Sequence, residues 1–207
     1  MQPAVNFGLM TALNHIPQML LVVAGLLLSN FRAIADSNIV TQIEKSLSPN
    51  RSLALFVTSG GTNSAEEIAL MSPEGKTTLA KMPLPKAVSV LRRSSVTTSI
   101  AWKHDSTGVA VSFSDKTISY IFGCVTTADG RFKWIDLSVA EGPNLGVLGR
   151  SRTDFVRVEH TPTHWTDASD VTPRMVWVRS RFWDRTGQRY TVEQEFAISP
   201  TGGIGWK

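Results

Sequence analysis

The chain has 207 residues with 21 basic and 17 acidic side chains, a net charge of +4. That length holds one domain, or at most two small ones, and the 42% apolar content is enough for a packed core. The small basic excess argues against a dedicated polyanion binder, so no nucleic-acid partner is expected, although a local basic patch remains open.

Residues 1–35 read as a secretory signal. Met19 to Leu28 is an apolar run of ten residues, short of the roughly 17 to 25 that cross a bilayer. Ala33-Ile34-Ala35 follows with small residues at the spacing of a signal peptidase site. No Lys or Arg precedes the run, a departure from the usual positive start. Cleavage after Ala35 would leave Asp36 first and no membrane span; an uncleaved anchor is the alternative. Either form implies export, to a periplasmic or extracellular location. Cys124 is the single cysteine, so no intrachain disulfide is possible, and the residue is expected as a buried small hydrophobe between Phe122 and Val125.

Residues 36–47 form an N-terminal arm whose Ile39, Val40, Ile43 and Leu47 recur at roughly helical spacing. From residue 48 to 207 the pattern is that of a single all-β domain. Ser48-Pro49-Asn50-Arg51-Ser52 is a turn, and strands are expected at Leu53–Thr58, Glu66–Met71 and Thr77–Lys81. Ala87–Arg92 and Ser99–Trp102 read as short strands. Val109–Phe113 and Thr117–Phe122 alternate at period two. Asp129-Gly130 marks a hairpin with arms at Val125–Thr127 and Phe132–Leu137. Glu141–Arg152 reads as a loop, Phe155–His160 as a strand and Thr161–Thr172 as a polar connection. Arg174–Trp183 and Arg189–Ile198 form the longest hairpin, and Ile204–Trp206 is an edge strand. The expectation is an antiparallel meander of about eleven short strands, folded as a twisted sheet, a sandwich or a partly closed barrel.

Three segments share a turn-then-strand shape: Ser48–Ser52 before Leu53, His104–Gly108 before Val109, and Asp167–Asp170 before Arg174. Trp102 and Trp165 precede the second and third. In this the chain resembles the blade repeats of TolB-like and WD40-like β-propellers, which lead into a strand from a Ser-Pro-Asp-Gly type turn. The resemblance implies a propeller-like arrangement, with offsets of 104 − 49 = 55 and 165 − 102 = 63 residues that exceed the usual repeat of about 40 to 50.

Candidate functional residues fall in two places. Trp177, Arg179, Arg181 and Trp183 lie at period two on one strand face, with Arg189 beside them on the next strand. Aromatic and guanidinium groups of this kind are enriched at interface hot spots, and Glu193 and Glu195 opposite them disfavour phosphate. They point to a docking face for a protein or an envelope component. The second place is Glu159-His160-Thr161-Pro162-Thr163-His164-Trp165-Thr166-Asp167, where His160, His164 and Asp167 have the donor types of a zinc-like site. They support, as an alternative, a metal-assisted hydrolase. No elbow for a nucleophilic serine, no phosphate loop and no cofactor motif stands in the sequence. A non-catalytic role without a cofactor is therefore the primary expectation.

Overall fold

The computed structural model describes residues 39–60, 64–88, 90, 95–138, 141–166, 174–199, 201 and 203–206. The signal-like stretch at residues 1–35 lies outside them, as does Asp167. Among the described residues no helix is long and apolar enough to cross a membrane.

The described strands form three antiparallel sheets of four. The first holds β1 (Ile39–Gln42), β2 (Ala54–Ser59), β3 (Glu66–Met71) and β4 (Thr78–Pro83). The second holds β5 (Thr97–Trp102), β6 (Gly108–Ser114), β7 (Ser119–Thr126) and β8 (Phe132–Asp136). The third holds β9 (Phe155–Thr166), β10 (Arg174–Asp184), β11 (Arg189–Ile198) and β12 (Ile204–Trp206). Each strand pairs with its sequence neighbours, so every sheet is a plain meander.

The turns explain why. In the first sheet the Asn50 side chain accepts from the Ser52 N–H at 3.0 Å and the Ser52 hydroxyl at 2.7 Å. In the second, Asp105 accepts from the Thr107 N–H at 2.9 Å and the Thr107 hydroxyl at 2.7 Å. Arg51 and Ser106, between donor and acceptor, both stand in the left-handed region, at φ 58° and 62°. The two turns are therefore one device at an offset of 105 − 50 = 55 residues. The third copy of the motif, at Asp167–Asp170, lies outside the described residues. Asp105 also pairs with the Nζ of buried Lys103. Burial works to raise its carboxyl, but the Lys103 and Thr107 hydrogen bonds outweigh that and hold it down at about 2.

The sheets stack face to face. Leu55, Val57, Ile68 and Leu70 of the first meet Val109, Val111, Phe113 and Phe122 of the second in one buried cluster. The other face of the second sheet, with Ala101, Ala110, Ile121, Val125 and Ile135, packs against Trp165, Val176, Val178, Phe196 and Ile198 of the third. The second sheet is thus covered on both sides, which is why β6 is buried along its whole length. The remaining inner surface of the third sheet, at Phe155, Val158 and Phe182, is covered by Leu145 of a short helix, α1 (Glu141–Leu148).

Several expectations are corrected. Ile39–Gln42 is a strand, not a helical turn, because its pairing with β2 outweighs a weak local spacing. Helix α1 occupies the expected loop at Glu141–Arg152. Residues 117–127 hold one strand, β7, rather than two. Ala87 lies in a turn where the strand Ala87–Arg92 was expected to begin, and Val88 donates to the Pro85 carbonyl at 2.8 Å. Thr161–Thr166 extends β9 instead of forming a connection. Pro162 is tolerated there because β9 has a ladder partner on one side only and bulges next to the proline.

Candidate functional site

The inner face of β10 carries Val176, Val178, Ser180 and Phe182, all buried. Period two then sends Trp177, Arg179, Arg181 and Trp183 to the opposite, outer face of the third sheet, where all four are half-buried. Register sets a row of partners across each. Trp177 stands between His164 and Glu195, Arg179 between Thr161 and Glu193, Arg181 between Glu159 and Thr191, and Trp183 between Arg157 and Arg189.

These rows are interlocked. The His164 ring stacks on Trp177 with centroids 5.8 Å apart and planes 9° from parallel. Trp177 Nε1 donates to Thr166 Oγ1 at 3.2 Å, and that hydroxyl donates to Glu195 at 2.8 Å. Arg179 Nε donates to Glu193 at 2.6 Å. Arg181 donates to Glu159 at 3.3 Å, Arg157 approaches the same carboxylate at 3.6 Å, and the Arg157 guanidinium lies 4.5 Å over the Trp183 ring. Each exposed pair adds at most about 1 kcal/mol. Both indoles and three guanidiniums thus have a ring, guanidinium, hydroxyl or carboxylate partner on the same face. The Trp183 end, with Arg157 and Arg189, is basic; the Trp177 end carries Glu195.

The second candidate cluster is not brought together. Thr163 is an extra residue in β9, since Trp177 faces His164 while the next residue, Val178, faces Pro162. A bulge of one residue sends following side chains to the other face. His160 accordingly points inward and His164 outward. His160 is buried, its Nδ1 2.9 Å from Ser180 Oγ and its backbone N–H donating to Ser119 Oγ at 2.9 Å. Burial, with the nearby Arg152 charge, lowers its pKa to about 4, so the ring is neutral. Among the described residues no three His, Cys, Asp or Glu side chains converge as a metal would need. His160 and His164 therefore do not share a ligand site. Cys124 is buried as expected, and burial pushes its thiol pKa up.

Sequence reading found the Trp-Arg line but missed Arg157 and His164 as members of the same face. The signal for them is register between β9 and β10, which no local pattern contains. Arg157 and Glu159 also border a polar cleft of about 150 Å³ with Thr97, Ser99, Asp115 and Lys116 of the second sheet. Comparison of the chain with models of protein families finds no match, and a search of curated proteins finds no similar sequence.

Proposed function

We propose that this is an exported, non-catalytic domain that docks a protein or an envelope component through the outer face of its third sheet. The observation that carries the reading is the line Trp177, Arg179, Arg181 and Trp183, lying outside the core with its side chains already held by neighbours. Side chains fixed before contact lose less freedom on binding, and Trp and Arg are the residue types that dominate interface energies. A partner that fits presents acidic groups toward the Trp183 end and apolar surface over the two indoles. The repeated turn device at an offset of 55 residues supports a further reading of the three meanders as blade-type repeats.

Site-specific photo-crosslinking tests the docking reading. A crosslinker at Arg179 is expected to capture a defined product that Trp177→Ala and Trp183→Ala abolish while the fold is retained. The same product from a crosslinker at Val147, exposed on α1, would count against it. Export is tested by sequencing the N-terminus of the protein recovered from its host, with Asp36 as the expected first residue.

A further inference from the structure

We propose, resting on the docking reading above, that the envelope component is an anionic phospholipid surface and that it meets the turn end of the third sheet. Register builds that end. It sets Arg157 and Arg189 on either side of Trp183, with Arg181 one row further in. The turn between β10 and β11 carries exposed Arg185 past the last row. On the inner side, Arg150 lies 5.4 Å over the Tyr190 ring and donates to its hydroxyl at 3.2 Å. Arginine therefore stands on both faces and at the tip of one sheet end.

The acidic groups at this end do not cancel the charge. Residues 150–159 and 181–189 hold six arginines, no lysine and three carboxylates, an excess of 6 − 3 = +3 within a chain of net charge +4. Asp184 is turned into its own bend, where it accepts from the Thr186 N–H at 2.9 Å, the Thr186 hydroxyl at 2.6 Å and the Gln188 N–H at 3.0 Å. Asp154 accepts from the Ser151 N–H at 2.8 Å. Glu159 is shared by Arg181 and Arg157. Among the described residues Arg150, Arg185 and Arg189 have no carboxylate partner. An open groove of about 360 Å³ lies between Arg150 and Arg185, with Thr153 and Thr186 on its walls.

Charge and shape together select the occupant. A guanidinium fork bonds two phosphate oxygens at once, which a lysine cannot do. A long polyanion lying along the strands would run onto Glu193 and Glu195, beside Arg179 and Trp177. A flat layer of headgroups touching the turn end alone avoids both and reaches the arginines of both faces. It also supplies an apolar phase for the groups that stand among them. Trp183 is half-buried, and Val156, the extra residue of the bulge facing Trp183 and Asp184, is 50% exposed. Indole and aliphatic groups beside arginine are the residue types of a membrane boundary.

The test is co-sedimentation of the full chain with vesicles of phosphatidylglycerol and, separately, of phosphatidylcholine. Binding to the anionic vesicles is expected, at least about ten-fold stronger than to the neutral ones and largely lost in roughly 0.5 M salt. Arg185→Gln and Arg189→Gln are each expected to weaken it by about five-fold, and the double variant by about twenty-five-fold. Both side chains are exposed, so circular dichroism is expected to match the parent. Arg131→Gln, 87% exposed on the turn between β7 and β8, is expected to leave binding unchanged. Equal binding to both kinds of vesicle, as the apolar run Met19–Leu28 alone would give, would overturn the proposal. So would a loss in Arg131→Gln as large as in Arg185→Gln, or tighter retention on duplex DNA than on the anionic vesicles. Failure to bind these vesicles, with a crosslinked protein still captured at Arg179, would overturn it and leave the docking reading standing. Vesicle binding that Arg185→Gln weakens, with no crosslinked protein, would support it and remove the protein partner.

Discussion

The two sheet-to-sheet interfaces of this molecule are built on different principles. Between the first and second sheets the contact is made by large apolar side chains, with Leu55, Val57, Ile68 and Leu70 against Val109, Val111, Phe113 and Phe122. Between the second and third, two glycines let large side chains approach the backbone closely. A Cβ on Gly108 would stand 3.2 Å from the Trp165 ring, and one on Gly123 3.1 Å from Ile198. Directional bonds cross this gap: Trp165 Nε1 to the Ala101 carbonyl at 2.9 Å, the His160 N–H to Ser119 at 2.9 Å, and Arg174 to the Thr107 carbonyl at 2.9 Å. Both interfaces bury apolar clusters; the first is crossed by the Asn50 N–H to Ser106 Oγ bond at 3.3 Å, the second by the three bonds just named and by the close approach of its glycines. The second also contains a buried histidine, His160, which ties it to pH.

The largest expected effect breaks the apolar interface. Phe113 is fully buried, and Phe113→Ala is expected to destabilise by about 3 to 5 kcal/mol in denaturant titrations. Cys124, buried in the same cluster with its thiol pKa pushed up, then serves as a local reporter. Its labelling by a thiol reagent is expected to be slow in the parent and faster in this variant.

Acidification addresses the other interface. The His160 pKa is near 4 in the folded chain against an ordinary value of 6.5. Between those values the unfolded chain holds the extra proton, so stability is full above pH 6.5 and falls as pH drops toward 4. The loss is expected to reach about 3 kcal/mol. His160→Gln is expected to flatten this segment of the stability–pH curve, whatever it does to stability at neutral pH. An unchanged slope would show that the second and third sheets are not coupled through this ring.

A smaller effect tests closeness of fit. Gly123→Ala must move Ile198 or Leu137, both buried, and is expected to cost about 1 to 3 kcal/mol by thermal unfolding. The smallest lies on the outer face of the third sheet. Arg179 and Glu193 are 40% and 50% exposed, and Glu193→Gln is expected to change stability by less than about 1 kcal/mol. Its effect on docking is expected to exceed its effect on folding, because it releases the Arg179 orientation.

Much of this fold is legible in the sequence. The long hairpin of β10 and β11, the Asp-Gly turn at Asp129-Gly130 and the strand face of Trp177, Arg179, Arg181 and Trp183 all depend on neighbours two to four residues away. The pairing of Arg179 with Glu193 is legible too, since a tight turn sets the register of a hairpin. Illegible is anything set by a distant partner. Ile39–Gln42 has too few residues to state its own period, and pairing with β2 decides it. The bulge at Thr163, which parts His160 from His164, exists only against β10.

Alternation of apolar and polar residues, together with Asn, Asp and Gly at the bends, was by itself sufficient to specify an all-β chain and most of its strands. Those signals are local because side-chain direction repeats every two residues and a turn is closed by its own side chain. That the strands divide into three stacked meanders, with the middle one covered on both faces, was decided only by tertiary structure. Sheet stacking matches surfaces far apart in sequence, and burial on both faces, as in β6, follows from where the neighbouring sheets lie.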